Sequence, residues 1–375
     1  MTKKPSIFEA ARSSVSRPAI ISEASIVGFL TRQPEFSGVA PEVALEDTNL
    51  TAGISAGHIF FSVRTDRSDL AGRYVLRFDV LEKRLFQQVS LKSQYDVMRG
   101  LSARAIPTPE ACWFDTEGVI IPGSQAIIMR AVDGRAPHML YMEKGPYIEA
   151  SPEGRRTQLR SLMEFARRLH DVPIDELDIP DVATRGGEGH FIDREINWML
   201  TELYAHFPEE EEEGDRGFLL GRMRTACEEA AKWLREHAPR DACPALLHGD
   251  ITLGNVMFGD DDKIVAVLDW ELCREGLPAE DIMWTAISAR TSAVFYGTSC
   301  DEMPSAQELC DIYRDVGGHL EHLEFAAAMA AFQIGAIAAM AMRGMPKNFW
   351  AGQKLQWDAF EQTMQQAIAA AATAV

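Results

Sequence analysis

Hydrophobic and polar residues alternate along the first third of the chain in the way that predicts β-strands. The stretch 50–65, LTAGISAGHIFFSVRT, predicts a strand, a turn of small residues and a second strand. Further strands are predicted at 73–80, at the proline-punctuated 105–115 and at 126–137, which ends at Asp-Gly. Between them, the apolar spacing of 88–102 predicts one helix. This part of the chain is therefore predicted to form a small sheet that carries a helix.

Beyond residue 137 the apolar positions follow a helical period. Amphipathic stretches at 155–172, 193–207 and 218–238 predict helices, whereas 264–269 predicts a short apolar strand, and helices are predicted from there to the end. A chain of 375 residues is too long for one small core, so two lobes are expected. The pattern thus predicts an α+β protein with its strands near the start.

The segment 325–342, FAAAMAAFQIGAIAAMAM, is long enough to span a membrane. It is mainly alanine, which is only weakly apolar, and it contains Gln333 and Gly335, so a buried helix and no membrane span are predicted. The N-terminus lacks the apolar run of a signal peptide, and none of the six cysteines forms a CxxC or metal-binding pattern. Reduced thiols and a cytoplasmic setting are therefore expected.

The formal net charge of -19 bears on the binding partner. Nucleic-acid binding needs a basic face, so no nucleic-acid partner is expected. A cationic substrate is compatible with the charge, but an acidic surface also serves solubility alone.

Residues 248–255, HGDITLGN, precede the apolar strand IVAVLD at 264–269. The requirements of phosphoryl transfer explain the polar residues at positions 250, 255 and 269. An attacking hydroxyl needs a carboxylate that orients it and accepts its proton, a role that suits Asp250. A triphosphate needs Mg²⁺, a cation that prefers the oxygen ligands Asn255 and Asp269 would supply.

This motif, followed by Asp269-Trp270-Glu271, resembles that of the aminoglycoside phosphotransferase and choline kinase superfamily of small-molecule kinases. The wider stretches 247–258 and 266–284 are most similar to the branch associated with acyl-CoA dehydrogenases. The resemblance implies a bilobal protein-kinase-like fold, with a small antiparallel-sheet N-lobe and a mostly helical C-lobe. It also implies ATP as phosphoryl donor, with GTP as an alternative, and Mg²⁺ as cofactor.

Three domains follow from the resemblance and the pattern together. They are an N-terminal helical extension at 1–47, a nucleotide-binding N-lobe at 48–133, and a helical C-lobe at 134–375 with the catalytic loop and substrate pocket.

The resemblance also implies nucleotide-binding residues in the N-lobe. Arg77 stands where protein kinases place a phosphate-binding Lys, and its guanidinium keeps the charge. Gln94 stands where a helix Glu usually pairs with that cation, which departs from the family pattern. Ser55, in the small-residue stretch 52–58, would belong to a phosphate loop, although an ordinary hairpin turn explains the same letters.

The segment 129–134, MRAVDG, resembles the hinge between the lobes. Adenine would contact the carbonyl of Arg130 and the N–H of Val132, with Met129 packing nearby; a plain exit from a strand is the alternative.

Three further residues are predicted to support the loop. His248 is interpreted as a loop-supporting residue rather than a general base, and Asp281 as a structural Asp that braces the catalytic loop. Glu271 would contact the substrate or a water molecule in the outer shell around the metal, or else form a structural salt bridge.

The sequence contains no Walker motif, no GxGxxG after a strand and no GxSxG. The predicted function is transfer of the γ-phosphoryl group of ATP to a small-molecule alcohol: a hydroxyacyl thioester, a hydrophobic alcohol or an aminoglycoside-like substrate. Gln94 and the altered phosphate loop leave a catalytically silent pseudokinase or scaffold as the alternative.

Overall fold

The computed structural model describes residues 21–46, 56–79, 85–207 and 215–343, together with Gln362. Contacts divide the chain into two compact units: Met1–Arg99 with Pro109–Val132, and Gly100–Thr108 with Asp133–Val375. The first contains an antiparallel sheet and the second is mostly helical, as the sequence predicted for an α+β protein. The domain boundaries at 47/48 and 133/134 stay predictions.

The first unit is built on a five-stranded antiparallel sheet in the order β1-β2-β3-β5-β4. Its strands are β1 (Glu42–Leu45), β2 (Ala56–Arg64), β3 (Gly72–Asp79), β4 (Ala111–Asp115) and β5 (Ala126–Arg130).

Alternate residues of these strands fill the core of the first unit. Phe61 is paired with Tyr74 across β2 and β3, and their ring centroids are 5.7 Å apart. Trp113 of β4 packs on Tyr74 at 5.6 Å, and the buried Tyr74 hydroxyl donates a hydrogen bond to the carbonyl of Leu70. Successive strand residues face opposite sides, so the alternation seen in the sequence becomes one aromatic face.

Strand β1 was not anticipated from the sequence. It follows helix α1 (Glu23–Leu30), which begins with a capping box formed by Ser22 and Ser25. The N–H of Leu45 donates to Oε1 of Glu23 at 3.0 Å, which ties the strand to the helix. Four residues at a sheet edge carry too short an alternation to be recognised. Helix α2 (Leu91–Ser102) lies within the predicted range 88–102.

The second unit is mainly helical. Its helices are α3 (Pro146–Glu149), α4 (Pro152–His170), α5 (Pro180–Thr184), α6 (Phe191–His206), α7 (Asp215–Glu236), α8 (Pro278–Tyr296), α9 (Ala306–Asp315) and α10 (Leu323–Arg343). Four short strands form two antiparallel ribbons: β6 (Ala245–Leu247) with β9 (Arg274–Gly276), and β7 (Val256–Phe258) with β8 (Ile264–Val267). These ribbons hold the loop that contains the HGDITLGN motif.

Helix α10 carries the apolar segment considered above. Among the described residues it is the one helix long and apolar enough to cross a membrane by length and composition, and 67% of that window, Leu323–Ala341, is buried inside the fold. Gln333 donates to Glu195 at 2.7 Å and accepts from Arg274 at 3.1 Å. The apolar surface of α10 packs against α7 and α8, so its composition has an explanation within the fold.

Candidate active site

The polar residues of the motif lie on a loop between β6 and β7. Pairing of Val256 with Val267 sets β7 beside β8, and the N–H of Leu268 donates to the carbonyl of Asn255 at 2.7 Å. Asp269, directly after β8, is therefore brought to the end of the loop that carries Asp250. Backbone hydrogen bonds therefore place the segment of Asp269 beside the loop that carries Asp250.

The carboxylate of Asp250 is held at both oxygens. Trp284 Nε1 donates to Oδ1 at 2.8 Å, and Asn255 Nδ2 donates to Oδ2 at 2.8 Å and to the Asp250 carbonyl at 2.9 Å. Burial, followed by the charge of Asp269, raises the pKa of Asp250 to about 7, although both side-chain hydrogen bonds oppose the rise. A carboxylate oriented in this way can accept a further hydrogen bond, and then a proton, from a hydroxyl group.

Asn255 and Asp269 have the chemistry of Mg²⁺ ligands. The amide nitrogen of Asn255 is used on Asp250, which directs its carbonyl oxygen elsewhere. Asp269 is in the left-handed conformation at φ 64° and ψ 67°, an uncommon backbone state for a residue with a side chain. No group of three or more His, Cys, Asp or Glu within the described residues could hold a metal ion. A cation here would complete its shell with phosphate and water oxygens, as Mg²⁺ commonly does.

Asp281, at the start of α8, accepts hydrogen bonds from backbone N–H groups of the catalytic loop. Its two oxygens accept the N–H of His248 at 3.0 Å and of Gly249 at 2.9 Å, and Oδ2 also bonds His170 Nε2 at 3.0 Å. Burial alone would raise the pKa of Asp281, but the hydrogen bond with His170 helps to keep it below its ordinary value. The opposite ring nitrogen of His170 bonds the Tyr313 hydroxyl at 2.7 Å.

His248 is buried, and both of its ring nitrogens are used inside the loop. Nε2 lies 2.9 Å from the carbonyl of Leu268, and Nδ1 accepts the N–H of Asp250 at 3.2 Å. Burial lowers the pKa of His248, which favours a neutral ring with its proton on Nε2. Glu271 lies half-buried in the short turn Trp270–Leu272 after Asp269, and its role stays a prediction.

In the first unit, Arg77 and Gln94 are both buried, at 7% and 4% exposure. Arg77 lies on β3, where its Nη1 is 3.5 Å from His58 Nε2 on the neighbouring strand. Gln94 lies in the first turn of α2. Ser55 lies outside the described residues. The nucleotide contacts of these residues stay predictions.

Two of the predicted hinge residues, Met129 and Arg130, are the last residues of β5 and pair with β3. Met129 is buried opposite Val75, and Arg130 uses its side chain within the sheet. That guanidinium bonds the carbonyl of Asp69 and lies 3.2 Å from Glu110. Val132 ends the first unit. The adenine contacts of this segment stay predictions.

Trp284, His170 and Tyr313 were not selected from the sequence. Trp284 is three residues after Asp281 on α8, so the helix places both on one side, and this spacing was the one available signal. His170 and Tyr313 lie far from the motif along the chain and carry no local pattern.

Comparison with known proteins identifies the family to which this chain belongs. The model of the phosphotransferase enzyme family APH matches residues 51–302, well over half of the chain. The chain belongs to this family.

Acyl-CoA dehydrogenase family member 11 of Pongo abelii is 23% identical over 299 residues, which are 76% of this chain and 35% of the relative. This chain therefore spans about a third of the length of the curated relatives that it matches.

Two solved structures show the same fold as this phosphotransferase family member. A putative aminoglycoside phosphotransferase from Ralstonia eutropha superposes with a TM-score of 0.64 at 21% identity, covering 93% of this chain and 96% of the other. The ADP-bound aminoglycoside phosphotransferase APH(2'')-Ib superposes with a TM-score of 0.54 at 14% identity, covering 92% and 99%. At these sequence identities the structural similarity establishes the kinase-like α+β fold and does not identify the acceptor.

Proposed function

We propose that this protein transfers the γ-phosphoryl group of ATP to a hydroxyl group of a small molecule. The observation that carries the proposal is the doubly held carboxylate of Asp250, fixed by Trp284 and Asn255 next to the loop that delivers Asp269. Phosphoryl transfer depends on positioning and charge neutralisation. This arrangement would position the acceptor hydroxyl, and a Mg²⁺ ion held by Asn255 and Asp269 would supply the neutralisation.

Each residue has one task in the proposed reaction. Asp250 accepts a hydrogen bond from the acceptor hydroxyl, orients its oxygen toward the γ-phosphorus, and takes its proton as the new P–O bond forms. The bond between the γ-phosphorus and the bridging oxygen breaks, and ADP leaves with that oxygen. Asn255 and Asp269 would hold Mg²⁺, which supplies charge neutralisation of the triphosphate when bound. Asp281 keeps the loop in place through its backbone N–H groups.

ATP is the proposed donor because a structural neighbour with this fold contains ADP. Arg77 is proposed to contact the nucleotide phosphates, with Gln94 as a neutral hydrogen-bonding neighbour. The alternative of a catalytically silent pseudokinase finds no support, since Asp250, Asn255 and Asp269 are all present in one hydrogen-bonded loop.

We propose two classes of acceptor for this reaction. Aminoglycosides are suggested by the names of the structural neighbours, and hydroxyacyl thioesters or other hydrophobic alcohols by the curated relatives. A coupled assay of ADP release from Mg-ATP would test both, with kanamycin, choline, simple alcohols and hydroxyacyl thioesters as acceptors. Stimulation by one class that is absent in Asp250→Asn supports the proposal, whereas no stimulation by any class, with Mg-ATP bound, contradicts it.

A further inference from the structure

A line of side chains leads away from Asp250 along helix α8. Trp284, Ser288, Ser292 and Tyr296 are spaced four residues apart, so they share one side of the helix. Trp284 begins the line with its hydrogen bond to Asp250 at 2.8 Å. From Trp284 to Tyr296 the helix rises about 18 Å. An acceptor that lay along this line from the reacting carboxylate would be an extended molecule.

Tyr141 lies beside this line and against the catalytic loop. A Cβ atom at Gly254, next to Asn255, would lie only 2.8 Å from the Tyr141 ring, so the ring packs directly on the loop backbone. The segment that contains Tyr141 is tied to the residues after α8, because Thr298 donates a hydrogen bond to Glu143. The position of Tyr141 relative to the loop and the helix is thus fixed from both sides.

The buried hydroxyl of Tyr141 has no hydrogen-bond partner of full hydrogen-bond geometry among the described residues. The residue is 9% exposed and its oxygen is buried, yet the oxygen forms no hydrogen bond of acceptable geometry with any described residue. Burial, followed by the charge of Asp250, raises the pKa of the phenol, whereas the neighbouring hydroxyls of Ser288 and Ser292 lower it as hydrogen-bonding groups, without reaching full hydrogen-bond geometry. A buried hydroxyl without a partner costs free energy, which a bound molecule would recover by accepting a hydrogen bond from it.

Beyond Asp281, helix α8 offers no carboxylate to a polycationic acceptor, and the carboxylate of Glu143 beside Tyr141 already accepts a hydrogen bond from Thr298. Residues 282–296 contain no Asp or Glu, and their single charged residue, Arg290, is exposed. Recognition of several ammonium groups needs carboxylates, whereas hydroxyl groups suit the carbonyl, ester or hydroxyl oxygens of an uncharged molecule.

We propose that Tyr141, Ser288 and Ser292 form an acceptor-binding hydroxyl cluster, in which Tyr141 donates a hydrogen bond to an uncharged oxygen near the hydroxyl that is phosphorylated. The acceptor is then an elongated, uncharged molecule with a second oxygen close to its reacting hydroxyl. This inference rests on the proposed phosphotransferase function and narrows its acceptor class.

The test uses a matched pair of acceptors with the wild-type full chain and Tyr141→Phe. One acceptor is ethyl β-hydroxybutyrate, and the other is the hydroxy ether in which a methylene replaces the ester carbonyl. We expect Tyr141→Phe to raise the KM for the hydroxy ester by about 5- to 10-fold, because one neutral hydrogen bond is lost. The KM for ATP should be unchanged, and the hydroxy ether should show no difference between the two proteins.

Three further measurements separate binding from structure. Ser288→Ala and Ser292→Ala should raise the KM for the hydroxy ester and leave the KM for ATP unchanged. Tyr147→Phe, the same substitution at another buried tyrosine of this segment, should leave both unchanged. The Tm of free Tyr141→Phe should equal or exceed that of the wild type, because the lost hydroxyl has no partner in the free protein.

The outcomes distinguish the inference from the function on which it rests. Equal KM values for the hydroxy ester in wild type and Tyr141→Phe, or kanamycin as the preferred acceptor, overturn the hydroxyl cluster and leave the kinase function standing. A lower Tm for Tyr141→Phe together with a raised KM for ATP would indicate a structural role and also overturn it. If a protein that binds Mg-ATP releases no ADP with these three acceptors or with any acceptor class of the proposed-function assay, both the kinase proposal and the inference are overturned.

Discussion

Asn255 donates from Nδ2 to Oδ2 of Asp250 at 2.8 Å, and the same nitrogen donates to the Asp250 carbonyl at 2.9 Å. One amide therefore fixes both the side chain and the backbone of the proposed base. It also leaves the carbonyl oxygen of Asn255 for a cation, so the proposed base and the proposed metal site share a residue. The four predictions below follow from this coupling and from the way the loop is held.

The first concerns Asp250. We expect Asp250→Asn to lower kcat by on the order of 10²-fold or more while nucleotide affinity is retained, because the amide cannot accept the proton of the acceptor hydroxyl. Single-turnover phosphoryl transfer and a nucleotide titration measure the two quantities. Normal turnover in the variant would show that another group acts as the base.

The second concerns Asp269. We expect Asp269→Ala to abolish the dependence of ATP affinity on Mg²⁺, because a carboxylate that faces the cation is removed. Calorimetric titrations of ATP with and without Mg²⁺ measure the effect. Asp261→Ala is the matched control, since Asp261 is an exposed aspartate in a nearby loop, and it should retain the dependence. Identical Mg²⁺ dependence in Asp269→Ala and wild type would contradict the metal role.

The third concerns the brace at Asp281. We expect Asp281→Asn to lower the free energy of unfolding by about 2 kcal/mol at pH 7, because an amide cannot accept both loop N–H groups and the His170 bond. Denaturant unfolding measures the loss. The variant should also show a lower kcat, since the loop that carries Asp250 is loosened.

The same substitution has a definite pH dependence. The folded pKa of Asp281 is lowered from 3.8, so its stabilising contribution is complete above that value and is lost as the pH falls through the folded pKa. The difference between wild type and Asp281→Asn should therefore shrink as the pH falls below 3.8. A difference that instead grew below pH 3.8 would be incompatible with a lowered pKa of Asp281.

The fourth concerns Gly249. Its φ is 82°, and a Cβ atom there would lie 2.2 Å from the carbonyl oxygen of Leu272. We expect Gly249→Ala to cost at least about 2 kcal/mol of unfolding free energy and to lower kcat, because the loop backbone must shift.

The control for this prediction is another glycine-to-alanine change. Gly221 lies within α7, where a Cβ would meet no described atom within 4 Å. Gly221→Ala should raise stability by about 0.8 kcal/mol, since alanine is the better helix former. Equal stability changes in the two variants would show that the close approach at Gly249 is relieved without cost.

Much of the first unit could be predicted from the sequence because its signals are local. The alternation in 73–80 and the helical spacing in 88–102 correspond to β3 and α2 with ends shifted by a few residues. The strands β6, β7 and β9 were not predicted, because three residues cannot establish a period. These strands are mostly buried in the folded second unit, and such burial cannot be recognised from a pattern of three residues.

The sequence by itself determined the chemistry of the site. Asp250, Asn255 and Asp269 stand in one short stretch, and the order of loop, apolar strand and carboxylate predicts their convergence, which the bond between Leu268 and Asn255 completes.

Only the tertiary structure decided what holds that chemistry in place. Trp284 is 34 residues from Asp250, and His170 is 111 residues from Asp281. Tyr141 packs on Gly254 although five helices, α3 to α7, separate the two residues along the chain. These contacts depend on how helices pack, which is a property of the whole core and leaves no period or spacing in the sequence.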